Sequence, residues 1–242
     1  MTTLRVAART YVAIAGLLAL AAMFASLGTW QLRRAEATRA TIVQFASGSA
    51  DAALAELPAE LEPAARFRRV EVEGEYVADP QFLLDNMLHE GTAGYHVLTA
   101  LRIRGLRERV LVNRGWVPAG GDRRTLPDIG VEPGLRTVVG RLERLPRPGM
   151  RLGAAAEAGV ATGTVVLQFP TAEELAQRLD EPVFDYQVLL DPGAAEGYVR
   201  DWRAPGVAPE RHLSYAGQWL ALALGAFGAA GVMIFRVVRR KP

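Results

Sequence analysis

The tract His212-Leu-Ser-Tyr215-Ala-Gly-Gln218-Trp219 sets an imidazole, a phenol and an indole within eight residues. On a helix turning about 100° per residue, Tyr215 lies about 60° and Trp219 about 20° from His212, so all three share one face. An imidazole at the edge of an apolar segment can ligate a haem iron, with flat rings beside it to cover the porphyrin. Two plainer accounts compete. Trp and Tyr gather at membrane interfaces because their rings are amphipathic. A single His at that depth also serves as a hydrogen-bonded interfacial residue. A second tract, Gly28-Thr29-Trp30-Gln31-Leu32-Arg33-Arg34, adds another indole and an amide. The candidate cofactor-binding residues are therefore His212, Tyr215, Trp219, Trp30 and Gln31, with His212 the candidate axial ligand to haem iron.

Two apolar segments must position these tracts. No Asp, Glu, Lys or Arg occurs from Thr10 through Leu32 (23 residues) or from His212 through Phe235 (24 residues). At about 1.5 Å of rise per residue each reaches roughly 35 Å, enough for a hydrocarbon core of about 30 Å. A cleavable signal peptide is the competing account of the first segment, but apolar cores of signals run only about 7–15 residues. The expected organisation is a tail over 1–9, a first span over 10–32, a central domain over 33–211, a second span over 212–235 and a tail over 236–242. The second span also carries a small-residue ridge, Gly217, Ala221, Gly225 and Ala229, at four-residue spacing. Small residues let helices approach closely, so this ridge is expected to pack on the first span. The His212 face would then turn away, toward a partner or cofactor.

The tails hold Arg5, Arg9, Arg236, Arg239, Arg240 and Lys241 and no acid, while all 26 acidic residues fall between the spans. Short basic flanks stay in the cytoplasm. Arg33, Arg34 and Arg39 oppose this, but they begin a long translocated segment, where the charge rule is weak. The expected topology is a bacterial inner-membrane protein, or its mitochondrial equivalent, with both termini cytoplasmic and the central domain periplasmic. The pI of about 9.2 belongs mostly to tails facing anionic lipid and is no argument for nucleic acid.

The central domain reads as short strands. Val70, Val72, Gly74 and Tyr76 alternate with charged residues, as on a half-buried strand. Further strands are expected over Gln81–Met87, Tyr95–Ile103, Glu108–Asn113, Arg136–Leu142, Thr164–Phe169 and Val183–Leu190. The fourth is expected to stop at Arg114-Gly115-Trp116-Val117-Pro118. Ala46–Ala65 reads as a connector and 145–163 as a long loop, a candidate flap. Thr171 followed by Glu174 is a capping box that starts a helix over Ala172–Leu179. The fold class is thus two transmembrane helices flanking a β-rich (α+β) domain, a small antiparallel sheet or partly open barrel with one helix.

The chain has no cysteine, which excludes disulfides, thiolate metal sites and a Cys nucleophile. His89 and His96, with Asp85 and Glu90, match no common metal-ligand spacing. No G-x-S-x-G, H-E-x-x-H or phosphate-binding Gly loop occurs, and no enzyme turnover is expected. Regulators of polysaccharide chain length share the two-span layout but need long helical patterns in the domain. A sensor would need a cytoplasmic output module, for which a tail over 236–242 has no room.

The order GTWQLRR, RRVEVEGEY (Arg68–Tyr76), Gly94-Tyr95-His96-Val97, VLVNRGWVP (Val110–Pro118) and HLSYAGQW resembles the Surfeit-locus (Surf/Shy) family of cytochrome c oxidase assembly factors. NRGWVP and H-x-x-Y-A-x-Q-W are the most specific elements. The resemblance implies a chaperone-like role in the respiratory chain, assisting haem a binding and insertion into subunit I of haem-copper oxidases. It implies oxidase subunit I as partner, haem a synthase as a further candidate, and His212 as the proposed ligand of a transiently bound haem a. The alternative within the family is a haem-independent membrane scaffold that stabilises nascent subunit I. Residues 145–164 match no family pattern.

Overall fold

Arg33, Arg34, Glu36 and Arg39 end the apolar character of the first segment but not its helix. The computed structural model describes residues 2–48, 52–122, 125–147, 160–161 and 163–239. In it α1 (Thr2–Ser47) is one helix of 46 residues, so the helix outruns the expected 10–32 span. The physical reason is composition: Leu32 through Ala40 is mostly Ala, Arg and Glu, good helix formers with no Gly or Pro. Thr38 and Thr41 return their hydroxyls to the carbonyls of Arg34 and Ala37, at 3.1 and 3.0 Å. The Gly48 N–H closes the end on the Gln44 carbonyl. The expected connector therefore loses Ala46 and Ser47 to the helix.

The last helix, α3 (Pro209–Arg239), has 31 residues, with proline at its start, where a missing N–H costs nothing. It begins three residues before His212 and continues past Phe235; residues 240–242 of the expected tail lie outside the described residues. Both helices are long and apolar enough to cross a membrane. The chain divides into two compact units, a helical one from the two ends and a β-rich one over Gln44–Arg203. Residues 33–43 and 204–211 thus group with the helices rather than with the central domain.

The β-rich unit contains β1 (Arg69–Tyr76), β2 (Gln81–His89), β3 (Thr92–Ile103), β4 (Arg109–Pro118), β5 (Leu135–Arg144), β6 (Val160–Ala161), β7 (Thr164–Leu167), α2 (Ala172–Leu179) and β8 (Val183–Leu190). Strand order is β1-β5-β8-β4-β3-β2-β7-β6, with an added β1–β3 pairing. That pairing closes β1, β5, β8, β4 and β3 into a five-stranded barrel. It spans only three residue pairs, Gly74–Ile103 to Tyr76–Leu101. β3 is long enough to serve twice, binding β1 near its end and β2 from Thr92 to Leu98. The sheet is mixed rather than purely antiparallel: β4–β8 and β2–β7 run parallel. Neither pair is joined by a hairpin, so neither is obliged to be antiparallel.

The expected β4 boundary is corrected. The strand runs through Arg114-Gly115-Trp116-Val117 to Pro118 and is buried over all but its last residue. Gly115 sits at φ +116°, and a side chain there would meet the Val199 carbonyl at 2.7 Å. Trp116 and Val199 exchange backbone hydrogen bonds across that close approach. Glycine does not stop the strand; it admits a neighbour. Most of the expected flap lies outside the described residues. Its described end forms β6, which pairs antiparallel with β7.

Alternation divides β4 between two cores. Val110 and Val112 face the barrel interior with Val70, Leu101, Val138, Leu142, Tyr186 and Val188. Leu111 faces the other side, with Phe82, Leu98, Leu167 and Leu175 of α2. Each such side chain contributes about 1.5–3 kcal/mol on burial. The Thr171 hydroxyl accepts the Glu174 N–H at 3.2 Å, capping α2 where the sequence places the cap.

Candidate functional site

α1 and α3 associate through seven-residue rows. Ile14, Ala21, Gly28 and Ala35 are buried on one, Pro209, Ala216, Ala223 and Ala230 on the other. A Cβ on Gly28 would lie 2.9 Å from the Leu220 side chain and 3.5 Å from the Ala216 carbonyl. Phe24 stacks on Trp219 with ring centroids 5.7 Å apart, and Thr38 neighbours Gly206. Positions rise along α1 as they fall along α3, so the helices are antiparallel.

This geometry overturns the expected four-residue ridge. Gly217, Ala221, Gly225 and Ala229 are all exposed, and neither glycine has a described neighbour within 4 Å of where a Cβ would stand. Steps of four residues drift about 40° each, so that ridge winds about 120° around the helix. Steps of seven drift only about 20° and stay on the partner, as in a left-handed coiled coil. The face that packs on α1 is consequently the His212 face.

The structure brings together two of the candidate residues directly. His212 Nδ1 lies 2.8 Å from Gln31 Oε1. An amide oxygen only accepts, so Nδ1 carries the proton and donates. In the neutral ring the lone pair then resides on Nε2. Metal-bound imidazoles have this arrangement, with the second nitrogen fixed by an outer hydrogen bond. Trp219 belongs to the same face through Phe24. Tyr215 and Trp30 do not join the seam; they are 53% and 56% exposed. Sequence reasoning named Gln31 but missed its role, because helical spacing within one segment says nothing about register between two.

The other histidines belong to the β-rich unit. His89 lies against the Trp116 ring at 5.1 Å. His96 Nδ1 is 3.3 Å from Asn113 Nδ2, which also donates to Gln187 Oε1 at 3.2 Å. The Trp202 ring meets His96 edge-on at 5.5 Å. Burial lowers the His96 pKa to about 4. Among the described residues no three His, Asp or Glu side chains gather as metal ligands. An open cleft of about 730 Å³ between Leu61, Glu62, Leu106 and Phe184 includes none of the candidate residues.

NRGWVP acts structurally at several positions. Asn113 Oδ1 accepts the Gly115 N–H at 3.2 Å. Arg114 Nη1 donates to the Ile129 carbonyl at 3.0 Å. The Trp116 indole donates to the Met87 carbonyl at 3.0 Å. The motif ties the barrel to its flanking strands and loops.

Comparison with known proteins fits this arrangement. The SURF1 family model matches residues 18–224, a stretch that includes Gln31, His212 and the entire barrel. No curated protein sequence matches the chain. With two apolar helices flanking a β-rich domain built on a five-stranded barrel, and a family match over most of its length, the chain belongs to the SURF1 family, which is associated with cytochrome oxidase assembly.

Proposed function

We propose that this protein binds haem a through His212 and assists its insertion into subunit I of a haem-copper (cytochrome c) oxidase. The observation that carries the reading is the Gln31–His212 hydrogen bond, which leaves Nε2 available to iron. The exposed ring of Tyr215, about one turn from His212 on the same helix, offers an apolar face for a porphyrin. The isoprenoid tail of haem a suits a host whose ligand sits at the end of an apolar segment. Haem a is cargo here, so one protein ligand fits a hold that must be released. The basic tails support an inner-membrane setting with both termini cytoplasmic and the barrel periplasmic. Haem a synthase is the natural donor, and the protein performs no turnover of its own.

The test is the absorption spectrum of protein purified from cells that make haem a. Wild type is expected to carry a haem band and His212→Ala to lose it. A band unchanged in His212→Ala would sink the ligand assignment. A second reading, a haem-independent scaffold for nascent subunit I, is favoured by the open Gly217–Gly225 face of α3, which is free for another helix. Full oxidase assembly supported by His212→Ala would select it.

A further inference from the structure

We propose that one end of the barrel binds a phosphate group, held by Tyr76, Arg114, Arg136 and Arg200. Tyr76 ends β1, Arg114 lies late in β4, Arg136 opens β5, and Arg200 follows β8. Antiparallel β1–β5 pairing sets Glu75 opposite Leu135, which brings the end of β1 to the start of β5. The guanidinium carbons of Arg136 and Arg114 stand 4.8 and 5.7 Å from the Tyr76 ring centroid. Arg114 also lies 5.2 Å from the Tyr198 ring.

Tyr76 is only 6% exposed. Its hydroxyl is buried with no hydrogen-bond partner, and so is the Nε of each of the three arginines. The remaining guanidinium nitrogens are occupied. Arg114 holds the carbonyls of Ile129 and Gly130, and Arg200 those of Glu196, Pro192 and Ala194. Arg136 holds the Glu132 carbonyl and the Glu196 carboxylate. Stapling these loops explains the occupied nitrogens and leaves four buried donors unexplained. Buried donors without acceptors are rare in native proteins and costly.

Charge points the same way. Among the described residues, the charged groups acting on the Tyr76 hydroxyl are Arg114, Arg136, Arg200 and the acid Glu196. Three cations against one anion leave an excess of two positive charges. A phosphate monoester carries about −1.5 to −2 and offers only acceptor oxygens, whereas a carboxylate would neutralise half of the excess. Glu196 is 41% exposed on its side chain and holds only Nη1 of Arg136, as a carboxylate that competes with phosphate for the cluster.

The experiment is titration of the full-length protein in detergent with inorganic phosphate at constant ionic strength, with chloride as control, read by calorimetry. Saturable binding to phosphate and not chloride is expected. Tyr76→Phe should weaken it about tenfold, the usual worth of a hydrogen bond to a charged group, without lowering the melting temperature in phosphate-free buffer. Glu196→Gln should tighten it several-fold by removing the competing carboxylate. Arg136→Gln should abolish it; should that variant not fold, the other two still decide. Equal responses to phosphate and chloride, or wild-type affinity in both Tyr76→Phe and Glu196→Gln, would overturn the proposal. A parallel titration with dihexanoyl phosphatidate separates the sources: tighter binding identifies a lipid headgroup, equal binding free phosphate.

Discussion

Gln31 and His212 stand 181 residues apart in the chain and 2.8 Å apart through their side chains. The bond fixes which imidazole nitrogen bears the proton. Gln31→Leu is expected to free the ring and weaken haem retention by about tenfold, the lower end of what outer hydrogen bonds contribute at metal sites. Gln31→Glu should retain haem, since a carboxylate also accepts from Nδ1. Competitive transfer of haem to an apo-acceptor, followed by absorbance, measures both. Equal retention by Gln31→Leu and wild type would remove the amide from the site.

The helix seam gives a paired prediction. Gly28→Ile places carbon where Leu220 already lies, at 2.9 Å, and should destabilise the helix pair by roughly 1–3 kcal/mol. Gly217→Ile points into open space and should leave the pair intact. Melting temperatures of the two purified variants in detergent check this. A larger loss from Gly217→Ile than from Gly28→Ile would contradict the seven-residue rows.

Much of this architecture is legible in the chain. Alternation at Val70, Val72 and Tyr76 marks β1, and Thr171 with Glu174 marks the start of α2. The apolar segments announce two long helices. What is not legible has identifiable causes. Helix ends follow propensity rather than charge, so α1 runs on through Arg33, Arg34 and Glu36. Glycine at 115 reads as a stop until a neighbouring backbone is known to need its space. At the candidate site, His212, Trp219 and Gln31 can be named from residue type, yet their mutual register depends on which row of α3 meets α1. Local spacing carries no record of that choice, and the more conspicuous ridge of glycines is the wrong one.

His96 makes the β-rich unit sensitive to mild acid. Its pKa falls from 6.5 to about 4 because burial disfavours the charged ring. Between these values the unfolded chain takes up a proton that the folded chain refuses, so stability is full above about pH 6.5 and declines as pH drops toward 4. The loss approaches ~3 kcal/mol at the low end. His96→Gln should flatten the denaturation-derived stability curve between pH 4.5 and 6.5. An unchanged slope would show that another group titrates there.

Arg109 and Glu181 form a two-bonded pair, with Nε to Oε2 at 2.5 Å and Nη2 to Oε1 at 2.6 Å. The Arg109 hydrogen bond is the main cause holding the Glu181 carboxyl below its ordinary value of 4.5. That contribution is present above about pH 4.5 and is lost as pH falls further, a window below the one governed by His96. Glu181→Gln leaves Arg109, only 7% exposed, without its carboxylate. A cost of about 2–3 kcal/mol is expected by urea denaturation at neutral pH. Arg109→Lys should cost nearly as much, because an ammonium cannot reproduce the planar fork.

The seam between α1 and α3 also sets a schedule. A ribosome delivers the chain from its first residue onward, and α1 is finished long before position 212 is made. Throughout that interval Gln31 faces no imidazole, and the small-residue row of α1 has nothing to close against. α3, made after the β-rich unit, completes the helix pair and the Gln31–His212 bond together. The Gln31–His212 bond therefore forms only after the whole β-rich unit and the start of α3 have been made.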